Sequence, residues 1–372
     1  MKTVKGKYTE AIVYTDIVED YALAQIGQLC DQPSFDGCKV RIMPDIHPGK
    51  VGPIGFTSTV GKMIMPAVIG IDIGCGMTMA KVRKGKMEFQ KLDAVIRECV
   101  PLGFAKRKKP HRFAGELELD NLACGSHINM DHAIYSLGTL GGGNHFIELD
   151  KDDEGEIYIV IHSGSRHLGK EVAEYYLNEG HKKLKAAGTD IAYELTWISD
   201  ELASDYMADM QIAQEFAYKN RLAILDEIID GMKWKCEEPI NCVHNYVDMS
   251  SDTHIMRKGA ISAKEGEEVI IPINMRDGII IGTGLGNAEW NESAPHGAGR
   301  LMSREQVRNT FTVSQFKKEM KGIYCESIGK DTLDEAPYAY KGIDDILPLL
   351  SETVDVKKVI KPIYNFKAGG ED

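Results

Sequence analysis

Val40-Arg41-Ile42-Met43-Pro44-Asp45-Ile46-His47-Pro48-Gly49, followed by Met63-Ile64-Met65-Pro66-Ala67-Val68-Ile69-Gly70-Ile71-Asp72, sets short apolar stretches between glycines and prolines. Strand-length runs punctuated by residues that impose special backbone angles read as β-structure with functional loops, so residues 40–82 are expected to form a β-rich layer that carries a site. Outward from it the period changes. Residues 86–99 place Phe89, Leu92, Val95 and Ile96 at helical spacing, and residues 168–187 and 199–231 do likewise. The last block carries Leu202, Tyr206, Met210, Ile212, Phe216, Tyr218, Leu222 and Ile228, a content that core packing explains better than a cofactor box. Glu156-Ile157-Tyr158-Ile159-Val160-Ile161 reads as a buried strand that runs directly into His162-Ser163-Gly164-Ser165-Arg166. A strand that delivers polar residues to a glycine-containing loop is a common way to build a site. Further strands are expected at 267–273, 278–283 and 357–366. Strands and helices come in blocks rather than in strict alternation, which points to an α+β fold instead of a doubly wound parallel sheet. With no internal repeat, low-complexity segment or Pro/Ser-rich linker, residues 1–372 are expected to form one domain.

Composition narrows the function. A chain of 372 residues with 43% hydrophobic and 27% charged residues has the length and the apolar content to bury a sizeable core. No apolar run reaches the roughly 18 residues of a membrane span, and Met1-Lys2-Thr3-Val4-Lys5-Gly6-Lys7 leads into no signal-peptide core. A cytoplasmic location without membrane contact is the expectation. The eight cysteines (30, 38, 75, 99, 124, 236, 242, 325) lack regular spacing and read as buried thiols rather than a disulfide framework. Cys75, between Gly74 and Gly76 and three residues after Asp72, stands apart from them. The formal charge of −12 argues against coating nucleic acid by bulk electrostatics but leaves room for an enzyme with a local basic pocket. Lys106-Arg107-Lys108-Lys109-Pro110-His111-Arg112 is the one dense basic run, and a solvated loop is its ordinary reading.

Five side chains with metal-ligand chemistry lie beside glycine, asparagine or a strand end, where they can point into a cleft. They are Asp72 and Cys75 (Asp72-Ile73-Gly74-Cys75-Gly76), His145 (Gly141-Gly142-Gly143-Asn144-His145), His162, and His244 (Asn241-Cys242-Val243-His244-Asn245). Together they can hold one zinc, or two metals if the thiolate bridges. Thiolate and imidazole favour zinc by softness, whereas the carboxylate and a phosphate ligand also accept manganese. His296 lies in Ala294-Pro295-His296-Gly297-Ala298-Gly299-Arg300, with Arg304 four residues further on. The small neighbours let a phosphate approach the ring while main-chain N–H groups hold its oxygens, making His296 a candidate nucleophile or metal ligand. A surface turn with an incidental histidine is the alternative.

These segments resemble the RtcB family of RNA ligases. The matching runs are Met43-Pro44-Asp45-Ile46-His47 with Pro53-Ile54-Gly55; Gly70-Ile71-Asp72-Ile73-Gly74-Cys75-Gly76; Leu137-Gly138-Thr139-Leu140-Gly141-Gly142-Gly143-Asn144-His145-Phe146; and Ile161-His162-Ser163-Gly164-Ser165-Arg166. Then follow Asn241-Cys242-Val243-His244-Asn245-Tyr246, Arg257-Lys258-Gly259-Ala260, and His296-Gly297-Ala298-Gly299-Arg300 with Met302-Ser303-Arg304. The resemblance implies a single α+β domain, β-rich layers flanked by helices around a central metal cleft, two manganese ions, and GTP as the energy source. It implies that Asp72, Cys75, His145, His162 and His244 are metal ligands with Cys75 as the bridge, and that His296 attacks the α-phosphate of GTP. It further implies nucleotide contacts from Asn144, Glu148, His296, Gly297, Ala298, Gly299 and Lys367, and phosphate or RNA contacts from Arg166, Arg300 and Arg304. The substrates would be RNA ends bearing a 2′,3′-cyclic phosphate or 3′-phosphate and a 5′-hydroxyl, with an archease-type activator as a possible partner.

Three departures from the family pattern bear on specificity. His47-Pro48-Gly49-Lys50 stands in place of a His-Trp-Gly-Tyr run, and Val243 replaces the first of a tandem histidine pair. The family's Pro-Gly-Ser-Met-Gly loop appears as Pro272-Ile273-Asn274-Met275-Arg276-Asp277-Gly278. Intact ligands within altered surroundings resemble the RtcB-like paralogues associated with RNA repair rather than tRNA splicing. Arg276 is expected to meet a phosphate, an Arg–Asp pair stapling the loop being the other reading. A metal-dependent phosphoesterase acting on RNA ends and a nucleotide-binding regulatory protein are the competing functions, and only the ligase requires His296 as a covalent nucleophile.

Overall fold

In the computed structural model, which describes residues 1–369, the Ile157–Ser163 strand occupies the interior of an eight-stranded antiparallel sheet. The order is Lys235–Cys236, Gly76–Lys84, Ile157–Ser163, Phe146–Lys151, Val354–Lys367, Gly278–Gly284 and Glu268–Asn274, with Ile240–Val243 also paired to Gly76–Lys84. The continuous apolar run of Ile157–Ile161 follows from burial on both faces. Tyr158 and Val160 pack into one core with Ile270, Ile271 and Ile280, while Ile159 and Ile161 pack into another with Leu92, Ile96, Ile224 and Ile228. A second sheet of six strands runs in the order Lys2–Lys5, Glu10–Val13, Val40–His47, Ile54–Thr59, Ile255–Lys258 and Asn245–Asp248. Its one parallel pairing joins Glu10–Val13 to Val40–His47. The fold is α+β, as the block pattern implies. The expected β-rich stretch divides between the two sheets, Val40–Thr59 going to the smaller and Gly76–Lys84 to the larger, with a short helix at Pro66–Ile69 between them.

The three periodic helical segments appear as Phe89–Cys99, Arg166–Ala186 and Asp200–Met232. The second begins two residues before its apolar pattern, with Arg166 at φ 55° turning the chain from the strand end into the helix. The 33-residue helix does more than fill the core. Fully buried Asn220 accepts from the Gly138 and Thr139 N–H groups at 2.7 and 3.1 Å and donates to the Thr139 and Gly164 carbonyls at 3.1 and 3.2 Å. The adjoining Arg221 donates to the Gly74 and Ser163 carbonyls at 3.0 and 2.8 Å and to Asn241 at 2.7 Å. One turn of helix therefore ties together the loops that carry Cys75, His145 and Arg166. Every cysteine is free, and among the described residues no helix is long and apolar enough to cross a membrane.

Candidate metal centre and nucleotide cleft

The loops converge on Cys75. His145 and His162 flank it with Nε2 at 3.5 and 3.4 Å from Sγ. Their orientation is set from behind: His145 Nδ1 lies 2.9 Å from the Leu140 carbonyl and His162 Nδ1 3.2 Å from that of Asn144, so each ring is held with Nε2 turned inward. Asp72 Oδ2 lies 3.2 Å from His145 Nε2, while its Oδ1 accepts from the Ser165 N–H at 3.2 Å. Gly164 permits this approach, because a Cβ there would occupy the position of the Asp72 carboxyl group. Two groups of potential ligands result, Asp72–Cys75–His145 and Cys75–His162–His244, each with its ligand atoms within 4.8 Å of one another. Cys75 belongs to both.

The electrostatics fit divalent cations. Burial, aided by the charge of Asp72, pushes the Cys75 thiol well up, so a cation is needed to hold it as the thiolate. Burial lowers His162 and His244 well below the usual histidine range, leaving the neutral imidazole that metals bind. Burial also works to raise Asp72, but the hydrogen bond and charge of His145, with the charge of Arg166, outweigh it and hold the carboxyl at about 2. His244 Nδ1 is buried and has no hydrogen-bond partner among the described residues. Such an atom costs about 1–3 kcal/mol unless something outside the chain satisfies it. The donor set of carboxylate, thiolate and imidazoles thus fits one or two metal ions.

The imidazoles continue beyond this cluster. Ring centroids step from His145 to His162 (5.2 Å), to His244 (5.2 Å) and on to His296 (4.9 Å). Asp45, fully buried, fixes His296: its Oδ2 lies 2.6 Å from Nδ1 and accepts from the main-chain N–H groups of His296 and Gly297 at 3.1 and 3.3 Å. Nε2 is left for the cavity beside it. Gly299, at φ 77°, lets this loop lie against the Asp45 main chain, where a Cβ would collide. Within Met43-Pro44-Asp45-Ile46-His47 nothing in the sequence marks Asp45 for a role. A carboxyl group in a buried strand acquires one only through a partner 251 positions away.

A cavity of about 490 Å³ opens in front of His296 and brings together all seven residues expected at a nucleotide, namely Asn144, Glu148, His296, Gly297, Ala298, Gly299 and Lys367. Glu148 lies at its buried side in hydrogen-bond contact with Asn365, and burial pushes its carboxyl up. Arg300 and Arg304 also line the cavity, whereas Arg166 does not. Arg166 borders a separate cavity of about 130 Å³ together with Asp72. Nor are the two lining arginines idle cations. Arg300 and Arg304 lie 3.1 and 2.8 Å from Glu335 Oε1, and Lys367 Nζ lies 2.6 Å from Oε2. Burial alone would raise Glu335, but Lys367, Arg304 and Arg300 hold it at about 2. Glu335, missed from the sequence because it sits in an ordinary acidic stretch, positions three of the expected phosphate and nucleotide contacts. Arg276 departs from expectation. It pairs with Asp277 at 2.8 Å and contacts Glu319, and it lies outside the cavity, which Asn274 and Met275 line instead. The stapling reading of that pair is the correct one, because the hairpin turns the guanidinium to the outer surface.

Comparison with known proteins agrees with this geometry. The family model described as tRNA-splicing ligase RtcB matches residues 28–125 and 113–368. The chain is 30% identical to the RNA-splicing ligase RtcB of Escherichia coli K12, over 88% of this chain and 90% of that protein. It is 28% identical to the tRNA-splicing ligase RtcB of Aeropyrum pernix, over 90% of each, and 24% identical to that of Thermococcus kodakarensis, over 93% and 90%. Fold, cleft and likeness define the class: the protein is an enzyme, an RNA ligase. Since the family model spans nearly the whole length, the chain belongs to the RtcB family.

Proposed function

We propose that the protein joins RNA 2′,3′-cyclic phosphate or 3′-phosphate ends to 5′-hydroxyl ends, using GTP and two manganese ions through a histidine–GMP adduct on His296, with residues 1–372 acting as one domain. The observation that carries this reading is the placement of His296 on the wall shared by the nucleotide-sized cavity and the sulfur-sharing ligand cluster. Nε2 of His296 attacks the α-phosphorus, an N–P bond forming as the bond to pyrophosphate breaks. Asp45, paired with Nδ1, holds the ring in line and stabilises the positive charge it acquires. Metal held by Asp72, Cys75, His145, His162 and His244 would neutralise charge on the triphosphate and its leaving group. Glu148 offers a carboxyl for the N1–H and exocyclic amine of guanine, with Lys367 a donor for its carbonyl, and the Gly297–Gly299 main chain lies beside the nucleophile. A 2′,3′-cyclic phosphate is first opened by water to the 3′-phosphate with a free 2′-hydroxyl; an oxygen of the 3′-phosphate then takes GMP as the N–P bond to His296 breaks, and the 5′-hydroxyl displaces GMP to close the phosphodiester. Arg300 and Arg304, held by Glu335, meet phosphate oxygens in that step.

Pro48, Ile273 and Asn274, which stand where the family pattern has tryptophan, glycine and serine, line the cavity. Ligands set the reaction while surrounding contacts set which ends are accepted, which supports a repair role over tRNA splicing. A cytoplasmic location and an archease-type activator complete the proposal. The deciding experiment is incubation with α-labelled GTP and manganese without RNA, where acid-labile label on the protein is expected. Release of phosphate from RNA ends without any label would establish the phosphoesterase instead.

Asp45→Asn provides a finer test, because the amide keeps the shape of the buried carboxyl group but not its charge. Adduct formation is expected to slow about 10²-fold or more, with metal content and thermal stability unchanged. A rate equal to wild type would remove Asp45 from the reaction.

A further inference from the structure

The basic run Lys106–Arg112 divides in two. Its base is stapled to the long helix: Arg107 pairs with Glu227, Arg112 with Asp226, and His111 Nε2 lies 3.2 Å from Asp226. Its tip is not. Lys106, Lys108 and Lys109 are exposed and form no ion pair among the described residues, and Phe104 beside them is 77% exposed. The loop is nevertheless rigidly placed, because Gly103 N–H donates to the Gly141 carbonyl and Arg107 N–H to that of Tyr135, both at 2.9 Å. This sets Phe104 and Lys106 on the rim of the 130 Å³ cavity whose other walls include Asp72, His132, Arg166, His167 and Lys170. That cavity shares no lining residue with the nucleotide cavity, yet each reaches the same ligand cluster, one through Asp72 and the other through His162 and His244. Burial, then the charges of Lys106, His167 and Arg166, depresses His132, so cationic groups crowd this spot.

A nucleotide filling the larger cavity leaves the smaller one as the second approach to the cluster. We propose that Phe104, Lys106, Lys108, Lys109 and Lys170 form a cradle for the single-stranded RNA backbone adjoining the end to be joined, Phe104 stacking on a base and the lysines meeting phosphodiester oxygens. Two kinds of group favour this occupant. Stacking on an exposed aromatic ring suits any base, and ammonium groups suit phosphates without regard to sequence. On a chain of net charge −12, such a patch is a local feature. The inference rests on RNA being the substrate, as proposed above.

The test uses the full-length protein and two fluorescently tagged single-stranded oligoribonucleotides, one ending in a 3′-phosphate and one beginning with a 5′-hydroxyl. Affinity is measured over a range of salt concentrations. Phe104→Ala is expected to weaken binding about tenfold or more. The combined Lys106→Ala, Lys108→Ala, Lys109→Ala variant should reduce the salt slope by about two units, at 0.7 per phosphate contact on a single strand. Melting curves verify that these surface variants remain folded. In Phe104→Trp, RNA is expected to quench emission beyond any change seen in wild type, a readout independent of affinity. Loss with either oligonucleotide supports the cradle and identifies the strand it holds. Affinities within twofold of wild type, an unchanged slope and no added quenching overturn it. Failure of wild type to take label from GTP would instead count against the ligase mechanism, leaving the RNA measurements to decide the cradle.

Discussion

His296→Ala is expected to leave no detectable GMP on the protein, at least 10³-fold below wild type, while the metal content is retained. A loss of that size corresponds to about 4 kcal/mol or more of activation free energy, beyond what a misplaced hydrogen bond removes. The separation of the two effects follows from position. Among the described residues His296 belongs to neither potential ligand group, and its ring meets that of His244 with centroids 4.9 Å apart. Removing the ring leaves Asp45 Oδ2 with its two main-chain donors, so the loop should hold its shape. The stability cost is expected to be about 1–3 kcal/mol for the lost Nδ1 partner. Mass spectrometry of the protein after incubation with GTP, alongside elemental analysis, checks both halves. A variant that still carries stoichiometric GMP would place the nucleophile elsewhere.

Cys75→Ala should show the opposite pattern, losing both metal equivalents along with adduct formation. Its sulfur is the one ligand common to both groups, so its removal takes a donor from each. It also removes the sole anionic donor of the Cys75–His162–His244 set, leaving two neutral imidazoles. Asp72→Ala and His244→Ala each weaken a single set, and each is expected to lower the metal content by about one equivalent. The apoprotein should stay folded in all three, because Asn220 and Arg221 hold the loops through main-chain carbonyls rather than through the ligands. Two equivalents of manganese in Cys75→Ala would contradict the shared-thiolate arrangement.

How much of this was legible beforehand depended on the range of the interactions. The Ile157–Ser163 strand, the three helices and the late strands were readable because apolar period is a local property of the chain. The metal-type ligands were readable because each lies beside glycine, asparagine or a strand end, where a side chain can point into a cleft. The Val354–Lys367 strand started three residues before its expected bound, and its register shift between Pro362 and Tyr364 left no signal that could be read in advance. Arg276 was misjudged because its neighbours in sequence suggested a phosphate site, whereas the direction of a side chain in a hairpin depends on pairing with a distant strand.

By itself the sequence determined the α+β class, the positions of the main elements and the inventory of side chains able to bind metal or attack phosphorus. Only the tertiary structure decided that Cys75 serves two ligand groups, that Asp45 governs His296, that Glu335 gathers Arg300, Arg304 and Lys367, and that Arg166 faces a different cavity from the other two arginines. The reason is physical. Periodicity and turn chemistry act over a few residues, whereas a sulfur common to two ligand groups, an orienting carboxyl and a shared counter-ion are contacts between segments up to 251 positions apart, and they exist only once the chain has packed.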